Sequence, residues 1–92
     1  MPRSEFDLAI CLLLDFKAPE LAIPWLNRFI KHANGWMLYR ASAMLIDISN
    51  RLNDNLWMMY SLICLRRSAW RQFKPAKEAL NKIKNLEPRY DA

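Results

Sequence analysis

Apolar residues recur along the chain with the spacing of helices, and no stretch alternates with a period of two. Turn-forming residues fall between apolar runs of helix length, which predicts five helices. The first is expected from about Glu5 to Phe16, with Ser4 as N-cap and Asp7 three residues on, as in a capping box. The second covers about Pro19 to Ala33. Pro19 suits a first turn, whereas Pro24 is expected to kink or delay the helix. Asn34-Gly35 stops it, with Gly35 available for a left-handed C′ position. The third runs from about Trp36 to Arg51, and Asn53-Asp54-Asn55 supplies a break and a new cap. The fourth spans about Leu56 to Trp70, and the fifth begins near Pro75 and ends before Pro88. Connections this short imply antiparallel neighbours in a single all-α domain over residues 1–92.

The helices differ in what surrounds them. The fifth is amphipathic, with Ala76, Ala79, Leu80, Ile83 and Leu86 in one stripe and Lys74, Lys77, Lys82 and Lys84 on its other faces. The third, from Trp36 to Ile48, and the fourth, from Trp57 to Trp70, are apolar nearly all round. Such a helix needs neighbours on every side, and five short helices can surround one of them but hardly two. With 53% hydrophobic residues, four Trp and five Met in 92 residues, the chain carries more apolar surface than so small a core hides. The surplus predicts an interaction surface.

Composition narrows the chemistry. A single glycine leaves no phosphate-cradling loop or dinucleotide fingerprint. One histidine and two cysteines, Cys11 and Cys64, form no recognisable zinc set, so neither metal nor cofactor is expected. The cysteines are 53 positions apart, outside any CxxC pair, and read as reduced, buried, cytosolic thiols. The longest unbroken apolar run, Leu8 to Leu14, is far below the roughly 18–20 residues of a spanning helix. Glu5 and Asp7 before it and Asp15 after it argue against an export signal, so a cytoplasmic protein without membrane insertion is expected. His32 near a helix end suits a helix C-terminus, and Asp7 with Asp15 and Asp47 with Asp54 suit solvated faces; no nucleophile or orienting acid accompanies them, so no enzyme is expected.

The net charge of +5 is unevenly placed. Residues 1–60 balance six basic against six acidic side chains, while residues 61–92 hold eight basic and three acidic. Arg66, Arg67, Arg71, Lys74 and Lys77 form the densest basic cluster, with Trp70 and Phe73 among them. A nucleic-acid-binding regulator using this last third is the alternative reading. A solvated outer face on a terminal helix explains the lysines better, and no recognition helix is apparent.

Ala76, Leu80, Ile83 and Pro88 stand at relative positions 0, +4, +7 and +12, and the ending Leu86-Glu87-Pro88-Arg89-Tyr90 follows. This resembles the second helix of a tetratricopeptide repeat, with Trp57 to Trp70 as its first helix. Leu8-Ala9 through Leu14, then Glu20-Leu21-Ala22, Leu26 and Phe29, resemble a second helix pair more faintly. The pattern departs from the repeat in three places: Ala22 and Ala76 are 54 apart, Cys64 replaces a small residue, and Ile83 stands where alanine is usual. A plain five-helix bundle is the competing architecture.

In length, helical pattern, basic balance and apolar surplus, the chain resembles the small tetratricopeptide-like chaperones of type III secretion needles. The resemblance implies a cytoplasmic hetero-oligomer. Its partners would be the amphipathic helix of a needle subunit, held in a concave groove, and a small helical co-chaperone. On that reading the third helix offers the stripe Met37, Ala41, Met44 and Ile48. The fourth offers Met58, Leu62, Leu65 and Ala69, with Trp57 as a further anchor. For any single one of these residues, a place in the core is the competing assignment.

Overall fold

In a computed structural model, residues 2–86 are described, and they form five α-helices. These are α1 (Pro2–Leu14), α2 (Pro19–His32), α3 (Gly35–Leu52), α4 (Asn55–Trp70) and α5 (Lys74–Leu86), with no strand among the described residues. The fold is all-α. Pro88, Arg89 and Tyr90, which close the repeat-like pattern, lie outside the described residues.

The ends of the helices show local chemistry at work. The first helix starts at Pro2, so Ser4 sits inside its first turn rather than capping it. It ends at Leu14, two residues before the predicted Phe16, because Lys17 turns left-handed (φ 51°) and the Ala18 N–H closes on the Leu12 carbonyl at 2.9 Å. The second helix runs through Pro24, which lies exposed in its second turn. There the missing N–H costs one intrahelical bond at a solvated carbonyl, not the helix. Gly35 is not left-handed: it is the first residue of α3, behind Asn34, whose side chain accepts the Met37 N–H at 2.9 Å. What keeps position 35 small is Phe73, since a Cβ there would lie 2.7 Å from the Phe73 Cβ.

Asn53 takes the left-handed conformation that ends α3, and Asp54 then caps α4 by accepting the Leu56 N–H at 3.0 Å. Asn is among the few side chains that tolerate that region. The fourth helix ends in a Schellman turn, with Gln72 at φ 68° and the Phe73 N–H bonded to the Ser68 carbonyl.

The α3–α4 pair is the backbone of the molecule. Gly35, Ser42 and Ser49 recur every seven residues on α3, and Asp54, the cap of α4, is followed at the same spacing by Ser61 and Ser68 on that helix. The hydroxyls of Ser49, Ser61 and Ser68 donate to the carbonyls of Asp54, Ser42 and Gly35 at 2.8, 2.7 and 2.6 Å. Each seven-residue step forward on one helix is a seven-residue step back on the other, so the pair is antiparallel. All four serines are buried. Small residues bring the two backbones close, and each hydroxyl finds an acceptor that its burial requires.

Around this pair the core is continuous. Phe6, Ala9 and Leu13 of α1 meet Ala22, Leu26 and Phe29 of α2, with the Phe6 and Phe29 rings 4.8 Å apart. Leu38, Ala41, Leu45 and Ile48 of α3 and Trp57 and Cys64 of α4 complete it. Helix α4 packs most extensively on α3, and α5 lies against its other side through the buried Ala76. The described chain spans 45 × 28 × 16 Å with a radius of gyration of 13.7 Å. A compact globule of this length has about 12 Å. The molecule is a flattened slab, and a slab leaves grooves between neighbouring helices.

Candidate partner-binding grooves

Two such grooves are present. The first, with a volume of about 500 Å³, lies between α1 and α3. Its apolar lining is Phe6, Phe29, Met37, Ala41 and Met44, and its polar rim is Asp7, Asn34 and Arg40. Trp36 closes the rim, its ring 6.0 Å from that of Phe73 and within 5.5 Å of the Arg40 guanidinium. The helical spacing of Met37, Ala41 and Met44 places three side chains on one wall, and the tight Ala33-Asn34 connection sets that wall beside α1.

The structure gathers Met37, Ala41 and Met44 in this groove and places the other predicted partner-binding residues elsewhere. Ile48, one turn on, is buried in the core, and Ala41 itself forms part of the groove floor at 2% exposure. On α4, Trp57 and Leu65 are core residues, and Met58, Leu62 and Ala69 are half-buried outside both grooves. The α4 stripe is therefore not a second wall of this groove. The reason is the serine ladder: it fixes α4 against α3 on one side, while Met59, Ile63 and Trp70 of the α4 girdle stay exposed away from this groove. The second wall comes from α1, through Phe6 and Asp7.

The second groove, about 540 Å³ and open to solvent, lies between α2 and α4. Ile30, Ile63 and Trp70 form its apolar floor, and Lys31, Arg66 and Arg67 its charged wall, with Asn27 at the edge. The Arg67 guanidinium stacks 4.9 Å from the centre of the Trp70 ring, and its buried Nε has no hydrogen-bond acceptor. Of the predicted basic cluster, only Arg66 and Arg67 reach this groove. Arg71 donates to the Lys31 carbonyl at 2.9 Å, tying the end of α4 to the end of α2. Lys74 and Lys77 stand exposed at the start of α5, where the Lys77 ammonium donates to Gln72 Oε1. The five residues do not form one continuous cationic track.

Large apolar side chains remain in solvent, some at the grooves (Trp36, Met44, Trp70) and some at the α1/α2 turn (Phe16, Leu21). Phe16 is 70% exposed, Trp70 68%, Leu21 57%, Trp36 53% and Met44 46%. Both cysteines are free; Cys64 is buried, and its desolvation pushes the thiol pKa up to about 12, while Cys11 is half-buried. Among the described residues no three His, Cys, Asp or Glu side chains are placed to hold a metal ion, and no helix is long and apolar enough to cross a membrane. No protein-family model, curated protein or solved structure matches the chain.

Proposed function

We propose that the chain is a binding module that shields an amphipathic helix of a partner protein in the α1/α3 groove. The observation that carries this reading is the groove itself: Phe6, Met37, Ala41 and Met44 in one trough, with Asp7 and Arg40 on the rim. Methionine walls adapt to the side chains of an inserted helix, and a rim bearing both charges orients it. In its most specific form the reading makes the protein a cytoplasmic chaperone of the needle-subunit type it resembles, working with a small helical co-chaperone in a hetero-oligomer. Helices α1 and α3 then line the binding face. No catalytic step is part of this reading.

The experiment is co-purification of the tagged chain from its native host, repeated with Met44→Asp. Met44 is exposed, so the variant folds, as circular dichroism should show. Burying a methionine contributes roughly 1.5–3 kcal/mol, so loss of that contact weakens a helical partner about tenfold or more. A stoichiometric helical partner retained by wild type and lost by Met44→Asp supports the reading. A partner set indifferent to Met44→Asp removes it.

A basic nucleic-acid regulator remains the second reading, carried by Arg66 and Arg67 beside Trp70. It requires a mobility shift at low salt that falls steeply as salt rises.

A further inference from the structure

The outer surface of α1 and the α2/α4 groove are complementary, and neither is satisfied within the chain. The core side of α1 is Phe6, Ala9 and Leu13; on the opposite side stand Ser4, Asp7, Leu8, Cys11 and Asp15. Asp15 is held over that face by the Cys11 thiol, whose Sγ donates to Oδ2 at 3.5 Å. Past the turn the surface continues to the exposed Phe16, Glu20 and Leu21. Helix α5 exposes Lys77, Glu78, Lys82 and Lys84, whereas α1 exposes apolar and acidic residues together. Glu5, Asp7, Asp15 and Glu20 face solvent wholly or partly, against a lone Lys17, over residues 4–21.

The α2/α4 groove has the opposite character. Lys31, Arg66 and Arg67 surround Ile30, Ile63 and Trp70, and no carboxylate lines it. The one ion pair among the described residues, Arg51 with Asp47, involves neither surface. We propose that the free chain associates head to tail with a second copy of itself, the acidic, apolar α1 end of one copy seating in the basic, apolar α2/α4 groove of the next. The contact is heterologous, so it leaves a free groove at one end and a free α1 face at the other. One helix end in one groove buries little area, which makes the association weak, reversible and salt-dependent. Its contact residues Leu8, Cys11, Asp15 and Glu20 lie outside the α1/α3 groove, and Asp7 stands at the edge that the two surfaces share. Nucleic acid is the poorer occupant, because the groove offers a single aromatic residue and Arg71 is already engaged.

Sedimentation velocity on the full chain from low to high micromolar concentration tests this at low and high salt. Two charge-reversed variants avoid both core and α1/α3 groove: Lys31→Glu with Arg66→Glu, and Asp15→Lys with Glu20→Lys. Wild type should associate reversibly, and moving from about 50 to about 500 mM salt should weaken association about tenfold. Each variant alone should be monomeric, and an equimolar mixture of the two should associate again, since each reversed surface then meets an opposite one. Met44→Asp should associate as wild type does. Monomeric wild type at every concentration overturns the proposal, and so does a mixture of the two variants that stays monomeric. Association abolished by Met44→Asp assigns the contact to the α1/α3 groove instead. Monomeric wild type that shifts a single-stranded oligonucleotide of about 20 nucleotides, with the shift lost in Lys31→Glu with Arg66→Glu, assigns the groove to nucleic acid.

Discussion

Substitution at Ser61 separates two roles that the serine ladder combines: bringing α3 and α4 close, and bonding them. Ser61 is 2% exposed and its hydroxyl donates to the Ser42 carbonyl at 2.7 Å. Ser42 lies inside α3, where its carbonyl also accepts an intrahelical N–H, so Ser61→Ala removes one hydrogen bond without orphaning an acceptor. A bond of this kind contributes about 1 kcal/mol. Ser61→Val removes the same bond and forces a branched side chain between backbones spaced for a hydroxymethyl group. Overpacking adds about 1–3 kcal/mol, for a total of about 2–4 kcal/mol. In a domain of this size each kcal/mol moves the Tm by about 5 °C. Thermal and urea melts followed by circular dichroism at the helix band should therefore rank wild type above Ser61→Ala and Ser61→Ala well above Ser61→Val. If Ser61→Val equals or exceeds Ser61→Ala in stability, the close antiparallel approach described for α3 and α4 is wrong.

Gly35→Ala should destabilise by about 1–3 kcal/mol in the same melts, although Gly→Ala at a helix start normally stabilises, because the added Cβ meets the Phe73 Cβ at 2.7 Å. Gln72→Gly should raise stability by about 0.5–1 kcal/mol by relieving the left-handed backbone of the Schellman turn. Cys11 should react with a thiol-alkylating reagent in the native protein while Cys64 is protected until the chain unfolds, a difference read by intact-mass spectrometry. The raised pKa of Cys64 also sets a pH dependence: its contribution is fully present below about pH 9 and declines as pH rises from 9.0 toward about 12, so alkaline unfolding should be less pronounced in Cys64→Ser.

The fold was largely legible because its determinants are local. Five apolar runs of helical period, the Asn53-Asp54 break and the prolines place the five helices within a few residues of their observed ends. What the pattern does not carry is which faces meet. Met37, Ala41, Met44 and Ile48 are equivalent as a stripe, yet Ile48 is buried at a depth where α1 no longer flanks a groove. The girdle of α4 looks uniform until the seven-residue spacing of Ser61 and Ser68 is matched to Gly35, Ser42 and Ser49, and Met59, Ile63 and Trp70 remain exposed beside it. That match fixes which side of α4 is covered. Gly35 illustrates the same limit: a glycine after asparagine suggests a left-handed stop, but the demand on it comes from Phe73, 38 positions away in sequence.

We propose above that the α1/α3 groove holds a partner's amphipathic helix. A photo-crosslinking amino acid placed at Met44, activated in the native host and followed by peptide mass spectrometry, tests it most directly; the same probe at the exposed Lys82 on α5 is the control. A discrete adduct is expected from position 44 and none from position 82, with the crosslinked partner peptide carrying apolar residues at i, i+3 or i+4, and i+7. Equal, diffuse crosslinking from both positions, or a partner segment without that spacing, contradicts it.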